Sequence, residues 1–291
     1  MTAEKKHINA KDDLSKDALD MIARTSISWD ENKEQIWARM EQKMETSKPA
    51  KTRVLSNPWL KVAVAAVFAI LIGLPLFMRL YTKTISVPAG QHSSIYLPDN
   101  SQVNLNADSK ISYKPLWYKF SRQIEFEGEA FFEVQPGKKF EVNSDQGKTV
   151  VLGTSFNVYS RNDGYNVTCV TGKVKVIEHA NNSEVIIEPG QQAKLTTKGN
   201  LAIQKEINTG QTLLWIDNKF SFTSIPLSKV LDEIGRQYNV EISIPSGLDK
   251  KYTGTFNKVT SVETILQLVC KPFNLEYKQT SNNEYVITKS N

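Results

Sequence analysis

Residues 59–81 read WLKVAVAAVFAILIGLPLFMRLY, and this apolar stretch divides the chain into a short part and a long part. No charged residue lies between Val62 and Met78. Because a helix rises about 1.5 Å per residue, the stretch is long enough to cross the ~30 Å hydrocarbon core of a bilayer. Trp59 and Tyr81 suit the two interfaces of such a membrane. We therefore predict one transmembrane helix over residues 59–81, in preference to a buried core helix or a cleaved signal peptide.

The charges that flank this stretch predict its orientation. Its N-terminal flank carries Lys48, Lys51, Arg53 and Lys61. Its C-terminal flank is less basic and carries Arg79 and Lys83. The cytoplasmic side of a membrane protein is usually the more basic one. We therefore expect residues 1–58 in the cytoplasm and residues 82–291 outside. In a Gram-negative cell this means a single-pass inner-membrane protein with a periplasmic part.

The composition argues against several classes of function. The chain has 36 lysines and arginines against 31 aspartates and glutamates, a net charge of +5, and no basic block of the kind that binds nucleic acid directly. Cys169 and Cys270 fall in segments that we assign to different domains, so a disulfide between them is not expected. The sequence has no metal-binding spacing of Cys and His and no Walker, GxSxG or HExxH motif. We predict no cofactor, no metal site and no enzyme active site.

Residues 1–58 are predicted to form a cytoplasmic helical segment. Apolar spacing indicates one helix over about residues 12–25 and a second over about 28–44, beginning at a capping box of Ser28 and Glu31. One face of the second helix carries Trp29, Ile36, Trp37 and Met40. Two short helices cannot bury such side chains well, and Trp and Met are favoured in interfaces. We predict that this face binds a partner protein; the alternatives are a self-contained helical hairpin and a face that lies on the membrane.

Residues 84–201 are predicted to form an all-β domain, either a sandwich or a short solenoid-like roll. Apolar and polar residues alternate with a period of two in many short segments, and turn residues such as Pro98 and Gly190 separate them. No long helical pattern fits this region. The inward core is expected to include Phe126, Phe131, Phe156 and Val158. Residues 202–218 are predicted to be a connector.

Residues 219–291 are predicted to form a second outer domain. An apolar pattern that begins at Phe222 recurs about 35 residues later, at Phe256. The pattern predicts one-sided helices over residues 226–237 and 261–271, each flanked by strands. The expected fold is a duplicated strand–helix–strand unit, an α+β domain with its helices on one face.

Several segments carry a family resemblance. In the first outer domain these are LPDNSQVNLN at 97–106, IEFEGEAFFEV at 124–134, VLGTSFNV at 151–158, VTGKV at 170–174 and EPGQQA at 188–193. In this order they resemble the FecR family of transmembrane anti-sigma factors. The second outer domain resembles the C-terminal domain often joined to FecR domains. Its segment FSFTSIPLSKVL at 220–231 is similar to the secretin/TonB N-terminal domain, a protein-interaction module.

The resemblance implies a function in cell-surface signalling. Residues 1–58 would bind an extracytoplasmic-function sigma factor through the face that includes Trp37. The outer domains would receive a signal from the periplasmic signalling domain of a TonB-dependent outer-membrane transporter, and membrane proteases would then release the sigma factor. The residues alone leave one alternative, a membrane-anchored periplasmic adhesion or glycan-binding module. Against it, Trp117 and Trp215 are isolated in the sequence and predict no aromatic platform.

One bond in the first outer domain is a candidate for chemistry. Some FecR-family proteins cleave themselves at a Gly-Thr bond, which matches Gly153-Thr154 in this sequence. A threonine hydroxyl can attack the carbonyl before it and shift the acyl group from nitrogen to oxygen, which gives an ester that hydrolyses more easily than the amide. The alternative is that Gly153 forms a bulge and Thr154 is an ordinary strand residue.

Overall fold

The computed structural model describes the chain over residues 18–24, 32–46, 58–162, 164–245, 248, 250–258 and 261–289. These residues belong to two compact units, and the boundary in the sequence lies between Ala66 and Val67. In the first unit, residues 18–24 are helical and helix α1 spans Lys33–Thr46. Both helices fall largely within the ranges predicted for them. The predicted capping box at Ser28 and Glu31 lies outside the described residues.

Helix α2 spans Pro58–Leu80 and agrees with the predicted membrane helix to within one residue at each end. None of its residues is buried in the protein. Among the described residues it is the one helix that is long and apolar enough to cross a membrane. A helix that is apolar on all sides and not covered by protein suits lipid better than water. Two residues, Tyr81 and Thr82, separate α2 from the first strand.

Thirteen strands follow and form one nearly barrel-shaped sheet. In chain order they are β1 Lys83–Val87, β2 Ser93–Tyr96, β3 Gln102–Leu105, β4 Ser109–Tyr113, β5 Arg122–Glu133, β6 Phe140–Asn143, β7 Gly147–Val151, β8 Ser155–Arg161, β9 Gly164–Thr171, β10 Val174–Glu178, β11 Glu184–Ile187, β12 Gln192–Leu195 and β13 Leu201–Gln204. Buried and more exposed residues alternate along strands such as β4 and β7, so the predicted all-β character with a period of two is confirmed.

The longest strand, β5, joins two layers of this sheet. Its first half pairs with β4 and β6, and its second half pairs with β3 and β8. The strand changes neighbours at Gly128, where φ is +112°. A Cβ at this position would lie 2.3 Å from the hydroxyl oxygen of Ser109, so only glycine fits here. One continuous strand therefore carries the chain from one layer to the other.

Apolar side chains fill the interior of this sheet. Of the predicted core residues, Phe126, Phe156 and Val158 belong to the main apolar cluster. Phe132 is fully buried among them, and its ring stacks on that of Phe156 with 5.2 Å between the centroids. Phe131 is also buried, but it lies outside that cluster because neighbouring residues of a strand point to opposite faces. Both faces of β5 are therefore covered at this point.

The connector is shorter than predicted. Strand β13 pairs with β12, so the β domain extends to Gln204. The connector then contains a single-turn helix, α3, over Thr209–Thr212 and a 3-10 helix over Leu214–Asp217.

The second outer domain has the predicted strands and helices. They are β14 Lys219–Pro226, α4 Leu227–Tyr238, β15 Glu241–Ser243, β16 Lys251–Asn257, α5 Val262–Cys270, β17 Leu275–Ser281 and β18 Glu284–Lys289. The strands form two sheets, β14–β16 and β15–β18–β17. Strand β15 is parallel to β18, and β14 is antiparallel to β16. The predicted duplication, with the helices on one face, stays a prediction. Helix α4 packs against strands of both sheets.

Candidate functional site

The predicted partner-binding face lies on α1. Trp37 and Met40 expose 58% and 50% of their surface, and Ile36 is half-buried. Met40 follows Ile36 by four positions and Trp37 by three, so the three side chains share one side of the helix. No residue of α1 is buried. The fourth predicted residue, Trp29, lies outside the described residues.

The Gly153-Thr154 bond lies in a bend between β7 and β8, and not within a strand as its sequence suggested. A Cβ at Gly153 would lie 2.6 Å from the Cα of Pro136, so the backbone passes too close for any larger residue. On either side of this glycine the amides of Val134 and Gly137 donate hydrogen bonds to the carbonyls of Thr154 and Leu152, at 3.0 and 2.8 Å. The bond is therefore held tightly against the segment that follows β5.

The two outer domains meet at a cluster of polar side chains centred on Gln237 of α4. Gln237 is only 4% exposed, and its Nε2 donates hydrogen bonds to Oδ1 of Asn106 at 2.7 Å and to Oε1 of Glu233 at 2.9 Å. Its Oε1 lies 2.9 Å from Nε2 of His92. The amide of Gly90 donates to the carbonyl of Arg236 at 2.8 Å. One turn of α4 is thus bound to the segment between β1 and β2 and to the end of β3; we call these contacts the polar junction.

Glu129 of β5 forms the floor of the polar junction. Its two carboxyl oxygens accept hydrogen bonds from Nδ2 of Asn106 at 2.8 Å and from Nδ2 of Asn157 at 3.0 Å. On the α4 side, the second oxygen of Glu233 accepts from the guanidinium of Arg236 at 2.8 Å. The first outer domain and α4 therefore each supply one carboxyl group, and both groups bind through amide side chains to the same network.

Burial sets the protonation of this network. Burial and the negative charge of Glu233 raise the pKa of the Glu129 carboxyl to about 7, although the hydrogen bonds from Asn157 and Asn106 act in the opposite direction. Burial also lowers the pKa of His92, against the effect of its hydrogen bond to Gln237. Glu129 is therefore a carboxyl group that changes charge near neutral pH, and it does so beside the contact between two domains.

A cavity of about 530 Å³ opens beside the polar junction. Its walls include Glu129, Tyr159, Asn166, Trp215, Phe220, Glu233 and Lys258. Two polar atoms of residues in its walls, Nε1 of Trp215 and Oδ1 of Asn166, are buried and lack a hydrogen-bond partner among the described residues. The same holds for Oδ1 of Asn157 in the polar junction. A buried polar atom without a partner costs free energy. The contact between the domains is therefore not fully satisfied in hydrogen bonds.

Chemically, the polar junction offers two carboxyl groups, amide side chains and an imidazole, which hold α4 against the first outer domain. In the part of the chain that the structure describes, no group of His, Cys, Asp and Glu side chains is arranged to hold a metal ion. Cys169 and Cys270 are both buried and form no disulfide.

Two family models match the chain. The model described as FecR protein matches residues 83–175, and the model described as FecR, C-terminal, matches residues 219–287. The chain belongs to the FecR family. The FecR match lies within the β domain, and the C-terminal match covers the domain that contains α4. The polar junction therefore joins the two matched parts of this FecR protein. The likeness of residues 220–231 to the secretin/TonB N-terminal domain stays a prediction.

Solved structures of related proteins also resemble this FecR protein. Two crystal structures from Parabacteroides distasonis ATCC 8503, at 2.50 and 1.65 Å resolution, are each described as a candidate anti-sigma factor. Each is 29% identical to this chain, covers 72% of it and 100% of its own length, and has a TM-score of 0.66. No curated protein matches this chain.

The sequence did not point to the residues of the polar junction. Asn106 and Gln237 are 131 positions apart, and His92 and Gln237 are 145 apart, so no local pattern links them. One signal was present in the FecR motif itself. Phe131 and Phe132 are adjacent on a strand and must face opposite sides, so two neighbouring aromatic residues indicate that both faces of β5 are covered.

Proposed function

We propose that this FecR-family protein is an anti-sigma factor of a cell-surface signalling system. It holds an extracytoplasmic-function sigma factor on the cytoplasmic side of the inner membrane. In the periplasm it receives a signal from the signalling domain of a TonB-dependent outer-membrane transporter, and membrane proteases then release the sigma factor. The observation that carries the proposal is the order of parts: an exposed apolar helix, a membrane-length helix, a FecR domain and a FecR C-terminal domain.

The similar proteins support the sigma-factor part of the proposal, since both Parabacteroides structures are described as candidate anti-sigma factors. The exposed side of α1 supports it physically. Large aromatic side chains at the centre of an interface often contribute about 2 kcal/mol or more when they are truncated. Trp37 is the largest such side chain on α1 and is exposed in the isolated chain.

The full chain, expressed with its genomic neighbours, tests the proposal directly. We expect a sigma factor, identified by mass spectrometry, to co-purify with the detergent-solubilised protein. Trp37→Ala should weaken this binding at least about tenfold, which corresponds to ~1.4 kcal/mol. Gln42→Ala is the matched control because Gln42 lies on the opposite side of α1. Purification without a sigma factor, or equal binding by both variants, would show that α1 has another role.

The proposed orientation has its own test. A periplasm-dependent phosphatase fused after Thr84 should be active, and the same enzyme fused before Asn57 should be inactive. The reverse pattern would place the FecR domain in the cytoplasm and remove the basis for a periplasmic partner.

The polar junction supports a relay of the signal through the outer domains. A partner that binds the second outer domain can change the position of α4, and α4 is bound to the FecR domain through Gln237 and Arg236. Deletion of residues 219–291 should therefore uncouple the external signal from the transcriptional response. A response that survives this deletion would exclude the second outer domain as the receiver.

The alternative, a membrane-anchored adhesion or glycan-binding module, needs an exposed aromatic platform. Trp215 is half-buried, with its ring edge-on to His92 at 5.6 Å between centroids. The sequence suggested that Trp117 is isolated, but its ring packs on that of Phe120 with 4.7 Å between the centroids. This pair is small and surrounded by lysines, so it does not by itself favour a sugar ligand.

A second candidate activity is one self-cleavage at Gly153-Thr154. The observation that favours it is that Oγ1 of Thr154 is buried without a hydrogen-bond partner among the described residues. In the reaction this oxygen attacks the carbonyl carbon of Gly153, the C–N bond breaks, and the proton passes to the amide nitrogen of Thr154. Water then hydrolyses the ester and leaves a carboxylate on Gly153. No base is hydrogen-bonded to this hydroxyl in the structure, so another group would have to take up its proton.

The mass of the purified protein under denaturing conditions tests this activity. Cleavage should give a fragment that begins at Thr154, absent in Thr154→Ala and retained in Thr154→Ser. The two fragments should stay together before denaturation, because β7 and β8 each pair with other strands. A single intact mass at every time and pH would rule the cleavage out.

A further inference from the structure

An exposed aromatic turn connects β4 to β5 over residues 114–121. Phe120 exposes 69% of its surface and Leu116 exposes 43%. Trp117 is half-buried and packs on Phe120. Between them Tyr118 points inward, where it is 2% exposed and meets Tyr113 edge-on at 5.9 Å between centroids. Large apolar side chains that stand together at the surface usually mark a contact.

The turn has a defined shape and does not fold back onto the domain. The amide of Trp117 donates to the carbonyl of Lys114 at 3.1 Å, and the amide of Phe120 donates to the carbonyl of Trp117 at 3.0 Å. Tyr118 anchors the middle of the turn in the core. Leu116, Trp117 and Phe120 are therefore presented outward by a fixed piece of backbone.

The register of the sheet places this turn beside the exit of α2. Lys83, the first residue of β1, is paired with Tyr113, the last residue of β4. Paired residues of antiparallel strands lie about 5 Å apart, and the turn begins at the next residue, Lys114. Only Tyr81 and Thr82 separate Lys83 from the end of α2. A membrane that holds α2 therefore lies within a few residues of the turn.

The charge around the turn is positive. Lys114 and Lys119 are exposed within the turn. The exposed Lys83 pairs with Tyr113 just before it, and the carbonyl of the exposed Lys138 accepts a hydrogen bond from Arg122 just after it. Residues 114–121 contain no acidic side chain. The acidic residue Asp99 near the end of the turn is neutralised by Arg122, with 2.8 Å between Oδ2 and the guanidinium. Aromatic side chains ringed by lysines suit the interface of a bilayer, where rings sit among the headgroups and ammonium groups meet phosphates.

We propose that this aromatic turn inserts Leu116, Trp117 and Phe120 into the headgroup region of the membrane that α2 crosses. The ligand is the anionic phospholipid surface, and the lysines around the turn bind its phosphates. The short tether keeps the turn at a high local concentration beside that surface, so even a weak contact is populated. The contact fixes the orientation of the FecR domain on the membrane. The inference rests on the proposed membrane span of α2.

The test uses the full chain in vesicles of phosphatidylcholine and phosphatidylglycerol, labelled with an environment-sensitive fluorophore at one introduced cysteine. Phe120→Cys reports on the turn. Leu268→Cys is the matched control, because Leu268 is an apolar residue that is 45% exposed on α5, in the second outer domain. Leu71→Cys reports on the middle of α2. Cys169 and Cys270 are buried and remain unlabelled in the folded protein.

We expect blue-shifted emission and quenching by brominated phospholipid at positions 120 and 71, and neither effect at position 268. The joint change Lys114→Glu and Lys119→Glu should remove the shift at position 120 and leave that at position 71. Quenching at position 71 without quenching at position 120 would overturn this inference and leave the membrane span of α2 standing. No quenching at either position would show that α2 does not span the bilayer, which overturns the proposed anchoring as well.

Discussion

The interior of the FecR domain is held by apolar side chains, whereas the polar junction is held by hydrogen bonds between polar side chains. The interior consists of interlocking apolar side chains around Phe132, and β5 runs through it without a break. The polar junction consists of amides, two carboxyl groups and a histidine, which are joined by hydrogen bonds. Apolar cores lose stability steeply when they are disturbed, whereas polar contacts can be exchanged for water at a small net cost. The difference indicates a rigid domain with an adjustable attachment.

The largest effect is expected from Phe132→Ala. Phe132 is fully buried and stacks on Phe156, so truncation leaves a cavity and should cost about 3–5 kcal/mol of unfolding free energy. Phe120→Ala removes the same atoms from an exposed position and should change stability by less than about 0.5 kcal/mol. Chemical denaturation of the detergent-solubilised chain measures both. Similar losses in the two variants would mean that the interior is not as tightly packed as described.

A smaller and more local effect is expected from Gln237→Leu. The substitution leaves Asn106, Glu233 and His92 without their shared partner, which should weaken the polar junction by about 1–3 kcal/mol. Hydrogen exchange should rise at residues 88–92 and in α4, while β5 stays protected. Gln204→Leu, at an exposed position of β13, is the control. Exchange that rises throughout the FecR domain would contradict the separation of core and attachment.

A pH effect on the order of 1 kcal/mol should come from Glu129, after allowance for solvent in the cavity. Its pKa is raised in the folded protein, so the folded chain binds this proton more tightly than the unfolded chain. The stabilisation is complete below the ordinary carboxyl pKa and is lost as the pH rises through about 7. Thermal unfolding measured between about pH 5 and pH 8 should show this loss in the wild type but not in Glu129→Gln. Glu127→Gln, an exposed change on the same strand, should keep the wild-type dependence; a flat wild-type profile would refute the assignment.

The smallest effect is expected at the surface. Lys173 and Glu188 form an ion pair at 2.9 Å, but their side chains are 73% and 54% exposed. Such pairs contribute little because water and salt screen them. Lys173→Ala should change the unfolding free energy by less than about 0.5 kcal/mol by chemical denaturation. A larger loss would mean that polar contacts outside the junction also stabilise this domain.

The same contrast explains what could be predicted from the sequence. Alternation predicted the strands, and the charge-free run predicted α2, because both signals lie in neighbouring residues. The point where β5 passes from one layer to the other could not be predicted from neighbouring residues, because it depends on the close approach of Gly128 to Ser109. The pairing of β15 with β18 could not be predicted from neighbouring residues either, since the two strands are far apart in the chain. The junction between Asn106 and Gln237 required the folded chain, because long-range polar contacts leave no periodic pattern.

The short passage from α2 to β1 has a mechanical consequence. Strand β1 lies at an edge and pairs only with β4 among the described strands, beginning at Lys83 and Tyr113. A force applied at residues 81–82 would break the hydrogen bonds between β1 and β4 one pair after another, starting with the pair nearest α2. At the other end, the chain after β1 is fastened to α4 through Gly90 and Arg236. Release of that fastening would let the strand peel away as an extended segment, which is the form in which proteases bind a chain.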